Sequence, residues 1–167
     1  MSRYPLHNAK LIEPEAGWFP ALLVQAQTPV GSIQFLNVHL RPPLPDSGPP
    51  NLSALYKTPP VRLKEIQQFL AEVDLEKPAV VLGDFNENEK STAMSWLINQ
   101  GFTDSLSAYD ADSPTWTWQT AAFVTLEARF DHILYSRHLY CTQAAVADFK
   151  ASDHMPVVAV LIAGGSE

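Results

Sequence analysis

Four short stretches of the sequence each run from apolar residues into an acid, an amide or an imidazole. They are FLNVHL with Asn37 and His39, VVLGDFN with Asp84 and Asn86, RFDHILY with Asp131 and His132, and SDHMPVV with Asp153 and His154. A single residue of this kind ordinarily caps a turn or is hydrogen-bonded in a core. The chain has only 18 acidic residues and five histidines, so four such stretches together indicate chemistry. Carboxylate and amide oxygens with neutral imidazoles suit a site that holds a hard divalent cation and a phosphate.

Apolar and β-branched runs, separated by Gly, Pro, Asp and Ser, predict the β-strands that must position these residues. The TPVG sequence between the first two strands predicts a hairpin turn, so these strands are expected to be antiparallel neighbours. Trp116 and Trp118 alternate on one strand and share a face, where core packing explains them better than base stacking. The predicted strands cover residues 21–27, 33–40, 79–85, 115–119, 130–135, 144–148 and 156–161.

Two further segments predict helices. In residues 61–73, VRLKEIQQFLAEV, apolar residues recur on one face at helical spacing. In residues 91–102, STAMSWLINQGF, Ser91 is a candidate N-cap and Gly101 a candidate C-terminal stop. Short strands with two helices over them predict a layered α/β sandwich that forms a single domain over residues 1–167.

Composition narrows the class of protein. A length of 167 residues with 46% hydrophobic and 17% charged residues describes one globular domain. A net charge of −7 argues against a broad basic surface for nucleic acid, although a bound cation can still recruit an anionic substrate. The sequence shows neither a signal-peptide core nor a membrane-spanning run, so we expect no membrane partner and, by default, a cytoplasmic location. Cys141 is the single cysteine, which excludes an internal disulfide.

The NVHL, GDFN, RFDHIL and SDHMPV motifs together resemble the endonuclease/exonuclease/phosphatase superfamily, the fold of DNase I, sphingomyelinases and apurinic endonucleases. They follow that family's order and spacing over residues 31–162, and the Thr-Trp strand at residues 115–119 also fits. The resemblance implies a DNase I-like α/β fold in which two packed β-sheets are flanked by helices. It also implies a phosphoesterase that uses Mg²⁺ or Mn²⁺ and direct attack of water.

The resemblance further implies roles for individual residues. Asp84 is expected to orient and deprotonate the attacking water, and Asn86 to bind a phosphate oxygen. His39 and His154 are expected to stabilise negative charge that develops on the phosphate, with Asp131 fixing the imidazole of His154. The predicted metal ligands are Asp153, Asp84 and Asn86.

The Pro-rich segment at residues 41–60 directly follows His39 and is expected to lie over the site. Arg41, Tyr56 and Lys57 within it are predicted substrate contacts. Each of these residues is also explained as an ordinary solvated loop residue.

Compared with the family pattern, the chain begins late. The SRYPL sequence at residues 2–6 resembles a segment that follows the first third of the fold, which carries a metal-binding Glu in an LQE-type motif. Glu13 and Glu15 are the acids nearest to this position, and their context does not match the motif. We therefore expect an N-terminally truncated fold with an incomplete metal site that binds Mg²⁺ weakly and favours Mn²⁺.

Strands missing from both sheets would leave sheet edges unpaired and apolar faces uncovered. We therefore expect a homodimer with a two-fold axis, in which residues 3–17 pair with the neighbouring chain. Its interface is expected to be apolar and larger than the ~1,600 Å² of a standard complex.

Three functions stay open at this point. The leading hypothesis is a metal-dependent phosphodiesterase for a small or accessible phosphate ester, because the acidic chain lacks a basic stripe. A nuclease that acts on DNA or RNA is the first alternative, possible but not favoured. The second is a catalytically impaired interaction module that has lost its metal-binding Glu.

Overall fold

The described part of the chain contains ten strands and four short helices. The computed structural model describes residues 1–48, 53–120, 123–149 and 151–164. The strands are β1 Leu6–Ile12, β2 Ala21–Thr28, β3 Gly31–His39, β4 Ala79–Asp84, β5 Phe102–Asp104, β6 Trp116–Gln119, β7 Thr125–Ala128, β8 Asp131–Ser136, β9 Leu139–Val146 and β10 Val157–Ala163. The helices are α1 Ser53–Lys57, α2 Pro59–Leu70, α3 Thr92–Asn99 and α4 Leu106–Tyr109.

A six-stranded mixed sheet forms the centre of the protein, with the strand order β1-β2-β3-β4-β8-β5. Strands β3 and β4 are parallel, and the other neighbouring pairs are antiparallel. The parallel pair needs a crossover, which α1 and α2 supply. Strands β9 and β10 form a two-stranded sheet beside β8, and β6 and β7 form another. The prediction of an α/β fold is therefore confirmed.

The two faces of the central sheet differ in burial. On β3, Leu36 and Val38 are buried under the helices, whereas the alternating residue His39 is exposed. Helix α2 contributes Ile66 and Phe69 to the same core, at the helical spacing that the sequence predicted. Because burial of each such side chain contributes roughly 1.5–3 kcal/mol, the helix-covered face holds the fold together. The opposite face stays open enough to carry a site.

Several boundaries differ from the prediction for identifiable reasons. The β2–β3 hairpin is confirmed, but α2 begins at Pro59, ahead of the predicted residue 61. Proline is compatible with the first helical turn, where its missing N–H is not needed. Residue 102, the last residue of the segment predicted as a helix, instead begins β5, which pairs with β8. The sequence did not predict β1, because its residues are exposed up to Leu11 and do not alternate between buried and exposed positions.

Strand β1 pairs with β2 of its own chain and forms one edge of the central sheet. The expectation that residues 3–17 pair with a neighbouring chain stays a prediction, which would involve the other edge of β1. The tryptophan prediction was wrong for Trp118, which is 53% exposed, because β6 and β7 form a sheet of only two strands. Trp116 is half-buried against Phe130, with the ring centroids 5.4 Å apart. None of the helices in the described parts of the chain has the length and apolar character needed to cross a bilayer.

Candidate active site

Three of the predicted residues lie side by side in one row across the central sheet. In the parallel β3–β4 pair, His39 stands opposite Asp84. In the antiparallel β4–β8 pair, Asp84 stands opposite Asp131. Because register fixes which side chains share a face, the row places two carboxylates and an imidazole together at the open face. The nearest atoms of His39 and Asp84, Nε2 and Oδ2, are 3.5 Å apart.

His154 joins this row from the segment that precedes β10. Its Nδ1 donates a hydrogen bond to Oδ2 of Asp131 at 2.8 Å, which leaves Nε2 free for another partner. The His154 and Asp131 side chains are 34% and 22% exposed, so a small molecule can reach both. The backbone around His154 is anchored on both sides, because Thr117 N–H donates to the carbonyl of Asp153 and Met155 N–H to that of Thr115.

The turn after β4 explains why the sequence reads GDFN. Oδ1 of Asp84 accepts a hydrogen bond from the backbone N–H of Asn86 at 2.8 Å, and Nδ2 of Asn86 donates to the carbonyl of Leu40 at 3.1 Å. Asn86 has φ +50°, a left-handed conformation that Asn adopts more readily than most residues. Gly83 has φ +131°, and a Cβ there would lie 2.0 Å from the carbonyl oxygen of Val38. Only glycine lets β3 and β4 approach so closely.

The charges in the row shift two pKa values upward. Burial raises the pKa of Asp84, and the neighbouring Asp131 carboxylate adds to this effect, although the Asn86 N–H and the two imidazoles oppose it. Burial alone would lower the pKa of His154, but the hydrogen bond to Asp131 and the nearby carboxylates outweigh it and raise the pKa. Asp84 is therefore a stronger base than a solvated aspartate, and His154 keeps its proton to higher pH.

Asp84, Asp131 and His154 also form a group that can hold a metal ion. One ligand atom from each residue lies within 4.8 Å of the others. Carboxylate oxygens with an imidazole nitrogen suit Mg²⁺ or Mn²⁺, and a cation would relieve the repulsion through which Asp131 raises the pKa of Asp84. The donor set therefore fits a divalent cation. Of its members, Asp84 was a predicted ligand, whereas the sequence assigned Asp131 and His154 other roles.

The structure places the predicted ligand Asp153 outside this group. Asp153 is exposed, and its Oδ2 accepts a hydrogen bond from Nε1 of Trp116 at 3.2 Å. The chain bends at Ser152 and Asp153, so that His154 reaches the row while the Asp153 carboxylate bonds Trp116. Glu13 and Glu15 do not belong to the group either, as their sequence context indicated.

The predicted substrate contacts in residues 41–60 are not brought to the row. Arg41 is only 4% exposed, its guanidinium lies 3.2 Å from the ring centroid of Trp18, and it forms a 2.9 Å ion pair with Asp46. In this conformation Nη2 of Arg41 donates to Leu44 and Asp46 while Nη1 makes no hydrogen bond to another described residue, and its role as a substrate contact stays a prediction. Tyr56 and Lys57 are exposed on α1, and their roles as substrate contacts stay predictions.

Two residues near the row were not predicted. Phe19 stacks on the imidazole of His39, with ring centroids 4.2 Å apart and planes at 17°. No pattern in the sequence marks Phe19, which lies in a loop before β2. Glu87, directly after GDFN, is 97% buried and forms a 2.8 Å ion pair with Arg62. In the sequence, the position of Glu87 directly after the GDFN motif was the feature that could have marked it.

Comparison with known families identifies the class of protein in which this arrangement of residues occurs. The sequence profile described as the Endonuclease/Exonuclease/phosphatase family matches residues 1–154. The chain therefore belongs to this family.

Solved structures show the same fold. An endonuclease/exonuclease/phosphatase from Beutenbergia cavernae aligns with a TM-score of 0.75 and 21% identity over 99% of this chain and 47% of its own. D. rerio TDP2 complexed with single strand DNA product gives 0.69 and 15%, over 96% and 69%. A Bacteroides thetaiotaomicron mannosyl-6-phosphatase gives 0.59 and 18%, over 95% and 67%. The DNase I-like fold is thus confirmed, and the chain spans about half of the first of these structures. No curated protein matches the sequence significantly.

Proposed function

We propose that this protein hydrolyses phosphodiester or related phosphate-ester bonds by direct attack of water. The observation that carries the proposal is the in-register row of His39, Asp84 and Asp131, which His154 completes through its hydrogen bond to Asp131. This row combines a base with hydrogen-bond donors on one accessible face, as water attack on a phosphorus centre requires.

Asp84 is the proposed base. Its Oδ1 is held by the Asn86 N–H, while its Oδ2 faces His39 across the open end of the sheet. Burial and the Asp131 charge raise the pKa of Asp84, which brings its proton affinity closer to that needed near neutral pH. Asp84 thus takes a proton from the attacking water as the new P–O bond forms and the bond to the leaving oxygen breaks.

His154, His39 and Asn86 are the proposed donors to the phosphate. Asp131 fixes the His154 ring by accepting from Nδ1, so Nε2 can donate outward. Asn86 Nδ2 uses one proton on the Leu40 carbonyl and keeps a second for a phosphate oxygen. The raised pKa of His154 favours the charged imidazole to higher pH than in an ordinary histidine, and the charge strengthens its stabilisation of developing negative charge.

A divalent cation fits the same site. Asp84 and Asp131 would hold it through their carboxylate oxygens while His154 keeps its proton as a donor, and when bound it would neutralise charge on the phosphate and assist departure of the leaving oxygen. Because two carboxylates are few ligands for a reluctantly dehydrated ion such as Mg²⁺, we expect weak binding and higher activity with Mn²⁺.

The surroundings favour a small ester over a long polyanion. A cavity of about 350 Å³ opens beside Asp131 and His154, and its described lining residues include no Lys or Arg. With a net charge of −7, the protein offers little attraction to a duplex. A nuclease is the second candidate, supported by the fold shared with D. rerio TDP2 in complex with a single strand DNA product.

Hydrolysis of bis(p-nitrophenyl) phosphate, compared with cleavage of single-stranded DNA and plasmid, tests both candidates. Each assay uses Mg²⁺ or Mn²⁺ with an EDTA control. We expect metal-dependent release of p-nitrophenol that exceeds DNA cleavage. Preferential DNA cleavage would favour the nuclease, and no hydrolysis with either metal would leave an interaction module.

A homodimer is a further proposal. Because β1 is already paired with β2, a second copy would pack on the face of β10 that exposes Val158, Val160 and Ile162. Light scattering at micromolar concentration is expected to give twice the 18.5 kDa chain mass, and Val160→Lys to reduce it to one. A monomer in the parent protein would contradict the proposal.

A further inference from the structure

Glu87 links three parts of the fold directly behind the candidate site. Its Oε1 accepts from Nε of Arg62 on α2 at 2.8 Å, and its Oε2 accepts from the backbone N–H of Ala93 at 2.8 Å. Its carbonyl oxygen accepts from Nε2 of His132 on β8 at 2.9 Å. Ser91, the residue predicted to cap α3, makes no side-chain capping bond, so the Glu87 carboxylate caps that helix instead.

Arg62 extends this link to the segment that anchors Asn86. The carboxamide of Asn86 donates to the carbonyl of Leu40, and Nη1 of Arg62 donates to the next carbonyl, that of Arg41, at 3.0 Å. Arg62 therefore bonds residue 41 through Nη1 and residue 87 through Nε. Residues 41 and 87 directly follow Leu40 and Asn86, the two partners of the Asn86–Leu40 hydrogen bond. The planar guanidinium fixes the spacing between these two segments.

The pair is built as a rigid unit. The Arg62 and Glu87 side chains are 6% and 1% exposed, so water cannot take the place of either partner. Asn86 between them has a left-handed backbone with φ +50°, which is uncommon outside glycine. A buried ion pair on the adjacent residue, in which Nε of Arg62 bonds Oε1 of Glu87, helps to hold this conformation.

We propose that Arg62 and Glu87 are positioning residues that aim the Asn86 carboxamide at the substrate phosphate. The inference rests on the proposed hydrolysis and deepens it. The ion pair acts through Asn86: it sets where the second N–H of the carboxamide points and touches no reacting atom itself. Weakening the pair therefore loses the contribution of Asn86 to the reaction.

A double-mutant cycle tests this proposal. Asn86→Ala is expected to lower kcat/KM for bis(p-nitrophenyl) phosphate about 100-fold, the scale for loss of one preorganised donor. Glu87→Gln is expected to lower it about 10-fold in the parent and less than about twofold in Asn86→Ala, because interacting residues are not additive. The loss of stability caused by Glu87→Gln, measured by urea unfolding, is expected to be the same in both backgrounds. Additive losses of activity would overturn the proposal.

Two further measurements keep the outcome readable. Leu139→Ala, in a buried position on β9, is a control for destabilisation and should leave kcat/KM of the folded protein unchanged. If Glu87→Gln does not fold, Arg62→Lys enters the same cycle, since lysine keeps the charge but not the fork.

The side-chain amide of Asn86 gives a readout that does not depend on activity. Its two proton resonances, assigned by their loss in Asn86→Ala, should be well separated because one is bonded to the Leu40 carbonyl. Glu87→Gln is expected to bring them together. Unchanged amide resonances in Glu87→Gln would overturn the positioning role. If these resonances change but the parent protein hydrolyses no substrate, the proposed function is contradicted and the positioning role is not.

Discussion

Strand β8 presents a carboxylate–imidazole pair on each of its two faces, and the pairs differ in almost every physical respect. On the open face, Asp131 of β8 accepts from His154 at 2.8 Å, with side chains 22% and 34% exposed. On the helix-covered face, Nδ1 of His132 lies 3.6 Å from Oδ2 of Asp104, and these side chains are 0% and 1% exposed. Because side chains alternate along a strand, adjacent residues of one motif enter two environments.

The buried pair is enclosed by the protein, although Nδ1 of His132 and Oδ1 of Asp104 make no hydrogen bond within the part of the chain that the structure describes. His132 Nε2 donates to the carbonyls of Glu87 and Arg129, and Asp104 lies 3.8 Å from Nη1 of Arg129. Asp104 also accepts from the hydroxyl of Ser107 at 3.1 Å. No substrate can reach these groups, so their interactions hold β5, β8 and the turn after β4 together. The open pair keeps Nε2 of His154 available, which is what a reaction needs.

The largest expected effect is the loss of activity caused by substitutions at the open face. His154→Ala should lower kcat/KM for bis(p-nitrophenyl) phosphate by about 100- to 1,000-fold, since it removes a donor to the developing charge. Asp84→Asn should cause a loss of at least ~100-fold, because it removes the base. Both variants should unfold in urea at the same concentration as the parent. Equal turnover in variant and parent would contradict the assigned roles.

The second effect is one of stability. Asp104→Ala should lower the free energy of unfolding by about 3 kcal/mol, because it leaves Arg129 and His132 buried without their anion. The turnover of the molecules that remain folded should stay within several-fold of the parent. Urea unfolding followed by tryptophan fluorescence measures the first quantity, and assays well below the unfolding midpoint measure the second. A stable but inactive Asp104→Ala protein would place the buried pair in the catalytic machinery.

The sequence predicted the open pair more fully than the buried one. His39, Asp84, Asp131 and His154 stand in family motifs at predicted strand ends, so local sequence sufficed to find them. Asp104 carries no such signal, because β5 has three residues and is defined only by its pairing with β8.

The sequence also did not predict which side chains contact one another. That Arg41 is occupied by Trp18 and Asp46 depends on how the loop before β2 meets residues 41–46. That the Asp153 carboxylate bonds Trp116 and does not join the row depends on the bend at residues 152–153. Long-range packing decides such details, and a single sequence does not encode it in readable motifs.

The third effect sharpens the role of the open pair through pH. Activity should rise with pH as Asp84 loses its proton and fall at higher pH as His154 loses its own. The Asp131 charge raises the pKa of both groups, so Asp131→Asn should move both limbs of the profile to lower pH. The measurement is kcat/KM from acid to alkaline pH at constant ionic strength, with Glu76→Gln as the control, because the Glu76 carboxylate is exposed and pairs with Arg137. Limbs that stay in place in Asp131→Asn would show that other groups titrate.

The smallest expected effect is the loss, at acid pH, of the stability that the buried pair contributes. Burial alone would raise the pKa of Asp104, but its interactions with His132, Ser107 and the Leu106 N–H outweigh burial and lower the pKa below its ordinary 3.8. A lowered pKa in the folded state means that the ionised carboxylate stabilises the fold above the ordinary value, and that this stability is lost as pH falls through the lowered one. The difference in unfolding free energy between the parent and Asp104→Asn should therefore be constant near neutral pH and shrink below about pH 4. Urea titrations at a series of pH values measure this difference. A gap that keeps its neutral value in acid would mean that Asp104 stabilises the fold through packing and not through its charge.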